Sequence, residues 1–151
     1  DPIEMLSLAN SELLELHVNK YATMVVGCLD FETHQLQYSV AGHLPKPVLM
    51  TPEHSQYLAG EGMPVGLTPE ATYQLETIVL PETFMLVLMS DGVLETIDEV
   101  DLIEREKTLL SRISGSLEKP GDLIRRLSLG DVTSDDLTDD IAGLFISRGV
   151  G

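Results

Sequence analysis

The first residues of the chain carry an amphipathic, helix-like pattern. Ile3 and Leu6 begin a series of apolar positions that recurs at helical spacing. The Asp1-Pro2 pair in front of them is typical of a helix start, because aspartate caps the first turn and proline fits its geometry. The pattern predicts a helix that ends at about residue 17.

Short apolar and β-branched runs follow, and they predict strands. Residues 22–30 and 36–40 have this character and are separated by a few turn residues, which predicts a hairpin. A third short strand is predicted at 48–50, after two prolines. Glycines and prolines within residues 60–69 then predict a long irregular loop with unusual backbone angles.

The second half of the chain combines strands and helices. Residues 72–80 partly alternate between apolar and polar, whereas residues 84–90 offer no solvent face, so a fully buried strand is predicted there. The short link between them predicts a second hairpin. Helices are expected at 102–115 and 120–129, and a last strand at 144–146. This order predicts an α+β fold with helices covering an antiparallel sheet.

Length and charge narrow the classes of function. A chain of 151 residues that is 43% hydrophobic fits one domain, residues 1–151, with a real core. Asp and Glu outnumber Lys and Arg by 25 to 9, and the net charge of -16 argues against nucleic acid and anionic membranes as partners. No apolar run approaches the ~20 residues of a bilayer span, and no secretory signal is visible.

The single cysteine, Cys28, lies in one of the predicted strands. It excludes an intrachain disulfide, and its apolar neighbours predict a buried thiol. A reducing, cytoplasmic location fits this cysteine usage best.

Two acidic motifs flank apolar strands: Ser90-Asp91-Gly92 and Thr138-Asp139-Asp140-Ile141. If the two strands are neighbours, Asp91 and Asp139 converge on one hard cation held by oxygen ligands. The alternative is that both motifs are ordinary turns, since Ser, Asp and Gly are common there. Position favours the first interpretation, because a carboxylate held near a core is costly unless it is paired or metal-bound.

Phosphate ester hydrolysis is the chemistry that such carboxylates serve. They bind Mg²⁺ or Mn²⁺, which orients water and neutralises phosphoryl oxygens. Without a cation this acidic surface would repel phosphate, and two carboxylates are few for a two-metal centre.

His43, in Ala41-Gly42-His43, has two open interpretations. Its imidazole is either a general acid or metal ligand, or a hairpin histidine bonded to backbone. No second histidine stands at zinc-ligand spacing, and neither a G-x-S-x-G serine nor a phosphate-binding G-x-x-x-x-G-K-[ST] loop occurs.

Through an ordered series of motifs, the chain resembles the SpoIIE-type branch of the metal-dependent (PPM, type 2C-like) serine/threonine phosphatases. The motifs are Tyr21-Ala22-Thr23-Met24, Ala41-Gly42-His43, Gly62-Met63-Pro64-Val65-Gly66-Leu67, Ser90-Asp91-Gly92-Val93 and Thr138-Asp139-Asp140-Ile141. The resemblance is strongest to the output domain of a response regulator, which implies a receiver domain N-terminal to this chain.

The resemblance implies a β-sandwich of antiparallel sheets flanked by helices. It puts Asp91 and Asp139 in the places of metal ligands for Mn²⁺ or Mg²⁺, with two ions in a complete domain, and Asp140 and Gly92 just behind them. The attacking group would be metal-held water, with no catalytic side chain as nucleophile. The implied substrate is a phosphorylated anti-sigma-factor antagonist.

The chain departs from the family pattern in ways that leave two hypotheses. The family's N-terminal strands and their acidic Gly-Asp motif have no counterpart before Asp1, and Ala142 stands where a threonine is common. A truncated domain is therefore expected, nearly inactive alone and prone to self-association through an open edge. Either its parent is an active phosphatase, or the domain is an inactive pseudophosphatase or adaptor that binds a sigma-factor regulator.

Overall fold

The strands of the chain form two antiparallel sheets. The computed structural model describes residues 1–115, 117, 119–127 and 140–150. In chain order the elements are α1 (Pro2–Glu15), β1 (Met24–Asp30), β2 (Gln35–Ala41), β3 (Val48–Met50), β4 (Ser55–Tyr57), β5 (Glu76–Val79), β6 (Phe84–Met89), α2 (Gly92–Glu95), α3 (Leu102–Ile113), α4 (Pro120–Arg126) and β7 (Gly143–Arg148). The sheets have the orders β1-β2-β5 and β4-β3-β6-β7. The predicted α+β class is confirmed.

The chain folds as two compact units that alternate along the sequence. The first comprises Asp1–His43 and Ala59–Leu80, and the second Leu44–Leu58 and Pro81–Gly151. The first unit contains α1 and the three-stranded sheet; the second contains the four-stranded sheet and α2, α3 and α4. The chain passes between the units three times, so neither unit is one continuous stretch of sequence.

Helix α1 begins as its sequence predicts. The Asp1 carboxylate accepts hydrogen bonds from the backbone N–H groups of Ile3 and Glu4, at 2.7 and 3.4 Å. Such a cap satisfies donors that the first turn leaves without partners. On the helix face that is turned inward, Leu6 is fully buried with Val65 and Tyr73 of the same unit.

The predicted irregular loop is held in place by one buried polar side chain. Asn10, on α1, donates from Nδ2 to the carbonyl of Thr68 at 3.1 Å and accepts from the N–H of Gly66 at 2.7 Å. Within the loop Gly66 has φ +82°, a conformation that favours glycine. The backbone of Val65 also exchanges hydrogen bonds with Ala22. The expectation of unusual backbone angles is therefore confirmed, in a loop that is tied to a helix.

The core of the second unit lies on one face of β6. Met85, Val87 and Met89 alternate along this strand and are buried together with Leu109 of α3 and Leu123 of α4. Five of the six residues of β6 are buried, which confirms that the strand has no solvent face. Strand β6 also pairs with β3 along one edge and with β7 along the other, so it is an inner strand of its sheet.

The predicted hairpin between residues 72–80 and 84–90 is wrong. Strand β5 pairs with β2 in the first unit, whereas β6 lies in the sheet of the second unit. The burial patterns explain the difference: β5 is alternately half-buried and exposed, as an edge strand is, and β6 is buried throughout. The regular part of the first strand is also shorter than predicted, Glu76–Val79.

Other predicted boundaries agree with the structure to within a few residues. This holds for α1, α3 and the strands β1, β2, β3, β6 and β7. The last helix was predicted to end at residue 129, which lies outside the described residues, and α4 is described over Pro120–Arg126. Two short elements were not predicted: β4, whose sequence Ser-Gln-Tyr is mostly polar, and the one-turn helix α2.

The prediction of a buried thiol at Cys28 is wrong, because this side chain is exposed. Its strand, β1, has a single strand neighbour among the described residues, β2, and its burial pattern is mostly exposed. Successive side chains of a strand point to opposite faces of the sheet, so an apolar neighbourhood in sequence did not ensure burial of the Cys28 side chain. In the described part of the chain, no helix is long and apolar enough to cross a membrane.

Candidate metal centre

The two acidic motifs lie at the same end of one strand pair. Strands β6 and β7 are antiparallel neighbours, with Met89 opposite Gly143 as the last pair of the ladder. The chain therefore leaves β6 into Ser90-Asp91 beside the point where it enters β7 from Asp140. The condition for convergence, that the two strands are adjacent, is confirmed. Asp139 itself lies outside the described residues.

Ser90 joins the two motifs through three hydrogen bonds. Its backbone N–H donates to the carbonyl of Ala142 at 2.9 Å. Its hydroxyl accepts from the N–H of Ala142 at 2.8 Å and donates to the carbonyl of Asp140 at 3.0 Å. These contacts extend past the last ladder pair and bind the start of one acidic motif to the end of the other.

Asp91 precedes helix α2 but does not cap it. It has helical backbone angles, φ -62° and ψ -24°, and its side chain makes no cap hydrogen bond. By contrast, Asp101 precedes α3 with extended angles, φ -91° and ψ 133°, and accepts from the N–H groups of Ile103 and Glu104. The carboxylate of Asp91 is thus not used by the adjacent turn, although aspartate is a preferred cap residue.

The backbone at Asp91 is anchored by the residues that follow it. Gly92, Val93 and Leu94 are all buried, and Val93 and Leu94 belong to the core cluster of the second unit. The N–H of Leu94 donates to the carbonyl of Asp91 at 2.8 Å. A fixed backbone limits the positions that a carboxylate can adopt, which favours the fixed geometry of a metal ligand.

The argument that these carboxylates are held near the core is wrong for Asp91, and for Asp139 it falls outside the described residues. Asp91 and Asp140 are both exposed, and β7 is exposed at five of its six positions, so it is not a buried strand. An apolar strand is buried only where other elements pack on its faces, and five exposed positions mean that most of β7 is not covered among the described residues. Their candidacy therefore rests on convergence and on the carboxylate of Asp91 being available, not on the cost of burying charge.

The oxygen atoms at the two motifs are of the right type for a hard cation, but the described ones are too few to hold it. Carboxylate and carbonyl oxygens are the ligands that Mg²⁺ and Mn²⁺ prefer. Among the described residues, however, no group of three or more His, Cys, Asp or Glu side chains is placed to hold a metal ion. A complete coordination shell needs Asp139 and further ligands in addition to Asp91.

His43 lies at the end of the first unit, directly after Gly42. Its side chain is half-buried, and Gly42 adopts φ +65°. A Cβ at Gly42 would lie 2.5 Å from the ring of Pro64, so only glycine fits there. This packing explains Ala41-Gly42-His43 as a structural motif, and both interpretations of the imidazole stay predictions.

A cavity of about 500 Å³ in the first unit was not predicted. One side of the cavity is formed by the end of α1 and by residues 18–21, which follow it. The other side is formed by the loop residues Gly66 and Leu67. Lys20, the only Lys or Arg of the first unit, is part of its wall. No local motif marks such a cavity, because it depends on how the loop packs against the helix.

Comparison with known families identifies the chain. The model of the family described as Stage II sporulation protein E (SpoIIE) matches residues 1–149. The chain belongs to the SpoIIE family. This membership agrees with the resemblance that the motif series carries, and it covers both units of the structure.

One curated protein and several solved structures resemble the chain at low identity. Protein IcfG of Synechocystis is 26% identical over 132 residues, which are 85% of this chain and 21% of IcfG. The structure of the RsbU and RsbW domains of Rv1364c from Mycobacterium tuberculosis matches 100% of this chain and 43% of that one, with TM-score 0.76 and 24% identity. The phosphatase domain of SpoIIE from Bacillus subtilis, presoaked with Mn, matches 98% of this chain and 66% of that domain, with TM-score 0.64 and 18% identity.

These similarities show that this SpoIIE-family chain has the same fold as the two solved structures. The chain spans about a fifth of IcfG and 43% of the Rv1364c chain in the solved structure.

Proposed function

We propose that this chain is the metal-binding part of a phosphoprotein phosphatase that uses Mn²⁺ or Mg²⁺. The observation that carries the proposal is the carboxylate of Asp91, which stands exposed on a fixed backbone, makes no cap bond and lies beside the second acidic motif. Membership of the SpoIIE family and the Mn-presoaked phosphatase domain of similar fold support it.

Four residues of the two motifs have separate tasks in this proposal. Asp91 and Asp139 hold the cation, Asp140 supports them from the adjacent position, and the buried Gly92 lets the chain turn into α2 close behind Asp91. The cation supplies charge neutralisation at the phosphoryl oxygens and activation of water. With a net charge of -16, the chain needs such a positive centre to attract a phosphorylated side chain.

The decisive test is the substitution Asp91→Asn in the full-length protein. We expect turnover of a phosphoserine-bearing substrate protein with Mn²⁺ to fall at least about 100-fold, because an amide is a poor ligand for a hard cation. The measurement is phosphate release as a function of Mn²⁺ concentration, together with the dissociation constant of Mn²⁺.

Asp101→Asn is the matched control, since it makes the same chemical change at an aspartate that precedes a helix. Asparagine caps a helix about as well as aspartate, so α3 should persist and activity should stay at the wild-type level. Full activity of Asp91→Asn, or equal losses in both variants, would contradict the assignment of Asp91.

We also propose the natural substrate and the setting of the parent protein. The substrate is a phosphorylated anti-sigma-factor antagonist, and a receiver domain precedes this chain in a cytoplasmic response regulator. The similar structure of RsbU and RsbW domains within one protein, Rv1364c, supports a role in protein-partner signalling. Incubating the full-length protein with a panel of phosphorylated antagonists and measuring dephosphorylation tests the substrate; equal rates on unrelated phosphoproteins would contradict it.

A second candidate function is an inactive adaptor that binds a sigma-factor regulator. The observation in its favour is that the described residues contain no group of three metal-ligating side chains. In that case Asp91→Asn and chelation of metal both leave partner binding unchanged. A loss of partner binding on chelation would favour the phosphatase.

A further inference from the structure

Residue 90 is the point where a sheet ladder ends and a helix begins. In an antiparallel ladder, Ser90 and Ala142 would exchange two backbone hydrogen bonds as the pair after Met89 and Gly143. One of them forms, from the N–H of Ser90 to the carbonyl of Ala142 at 2.9 Å. The other does not, because the carbonyl of Ser90 accepts from the N–H of Val93 at 3.2 Å, at the start of α2.

The hydroxyl of Ser90 takes the place of that carbonyl. It accepts from the N–H of Ala142 at 2.8 Å and, through its own hydrogen, donates to the carbonyl of Asp140 at 3.0 Å. One side chain thereby satisfies a backbone donor and a backbone acceptor on the strand that carries the second acidic motif. Alanine would leave both groups without these partners.

We propose that Ser90 is a positioning residue for the metal centre. By holding Asp140 and Ala142 against the end of β6, its hydroxyl fixes the position of Asp140, the residue next to the predicted ligand Asp139, relative to Asp91. A metal site tolerates little error in the spacing of its ligands, so a small displacement of one motif lowers affinity for the cation. This role rests on the proposed function, because it assumes that both motifs hold metal.

The test compares Ser90→Ala, Ser90→Thr and Ser90→Val in the full-length protein. Threonine keeps the hydroxyl, and valine has nearly the same shape without it, so this pair separates the hydrogen bonds from packing should the alanine variant fold poorly. We expect Ser90→Ala and Ser90→Val to weaken Mn²⁺ binding about 10-fold, with kcat largely recovered at saturating Mn²⁺, and Ser90→Thr to bind like wild type.

A second measurement needs neither metal nor activity. Hydrogen exchange of the Ala142 amide should be about 10-fold faster or more in Ser90→Ala and Ser90→Val than in wild type and Ser90→Thr. Ser147→Ala is the control, since Ser147 lies exposed on the same strand, β7, and no hydrogen bond of its side chain is present in the described structure. It should change neither exchange nor Mn²⁺ binding.

The outcomes separate the two proposals. Mn²⁺ binding as tight in Ser90→Val as in Ser90→Thr overturns the positioning role, and so does unchanged exchange at Ala142. If the wild-type protein binds no Mn²⁺ while Ala142 exchange still depends on the hydroxyl, the proposed function has failed and the hydrogen bonds are structural only.

Discussion

Among the described helices, three are preceded by an aspartate, and the carboxylates of these residues do not all cap their helices. Those of Asp1 and Asp101 accept backbone hydrogen bonds from the first turn, whereas that of Asp91 accepts none from its helix. The sequence presents the same residue type in all three places. What separates them is the backbone: Asp101 is extended and Asp91 is helical, which turns its side chain away from the cap geometry.

Also at the residue scale, Tyr38 makes the stability of the first unit depend on pH. Its hydroxyl donates to the carbonyl of Ala59 at 3.0 Å, and burial, with a smaller effect of the nearby Glu76 carboxylate, raises its pKa to about 12. The folded pKa lies above the ordinary value of 10.0, so the neutral phenol stabilises the fold fully below pH 10. This stabilisation is lost as the pH rises from 10 to about 12.

We therefore expect Tyr38→Phe to lower the free energy of unfolding by about 1 kcal/mol at pH 7, the typical value of one hydrogen bond. The difference between wild type and this variant should shrink between pH 10 and 12. Urea denaturation across this pH range measures it, with the exposed Tyr21→Phe as control. A difference that stays constant over the range would contradict the role of the Tyr38 hydroxyl.

At the scale of elements, hydrophobic period and turn residues were enough to predict most helices and strands. The Asp1-Pro2 start of α1 and the buried run of β6 are examples. The pairing of strands was less predictable: the short link after β5 indicated a hairpin, yet β5 and β6 belong to different sheets. Pairing depends on which edge is free in the folded unit, and a turn of suitable length does not decide that. The exposure of Cys28 and of β7 was missed because an apolar run does not tell which face of a sheet other elements cover.

The loop that follows β4 makes a testable contact with α1 at Gly66. A Cβ there would lie 2.5 Å from Leu13 Cδ2 and 2.9 Å from the carbonyl oxygen of Lys20, with φ at +82°. We expect Gly66→Ala to lower the free energy of unfolding by about 2–4 kcal/mol, through the clash and the unfavourable backbone conformation. Urea denaturation measures the change.

Gly121 provides the matched control, because a Cβ there meets nothing within 4 Å and the residue lies in helix α4. Gly121→Ala should be neutral or stabilise by up to about 1 kcal/mol. If both substitutions destabilise the protein equally, the close packing at Gly66 is not the cause.

At the scale of the whole molecule, the class and the family were within reach of the sequence, and the organisation into units was not. The order of elements predicted α+β, and the motif series carried the resemblance to the SpoIIE family. The division into two units could not be predicted from composition. The chain passes from one unit to the other after His43, Leu58 and Leu80, and no linker-like stretch marks these points. The sequence predicted that Asp91 and Asp139 converge. The structure shows that β6 and β7 are neighbours, and Asp139 lies outside the described residues. The hydrogen bonds of Ser90 could be found only from the structure.

The exposed strand β7 predicts that the 151-residue chain self-associates. Leu144 and Ile146 are 56% and 39% exposed on a strand that has one neighbour, β6, among the described strands. An apolar strand edge pairs readily with another chain, and a charge on it opposes such pairing. We expect sedimentation to show concentration-dependent dimers or larger species, and Leu144→Lys to reduce them. Leu102→Lys, at a 45% exposed leucine of α3, should not, and a wild-type chain that stays monomeric at high concentration would refute the prediction.

A cut between Leu80 and Pro81 would leave the first unit whole on one piece but divide the strands of the second. The first piece would keep β3 and β4, and the other piece β6 and β7. The partners Val48 and Val87, and Met50 and Met85, would then stand on separate chains. Because each of these residues is buried in the intact protein, neither half can bury its share alone. The two halves should therefore behave as a complementing pair, whose reassembly a split reporter can follow.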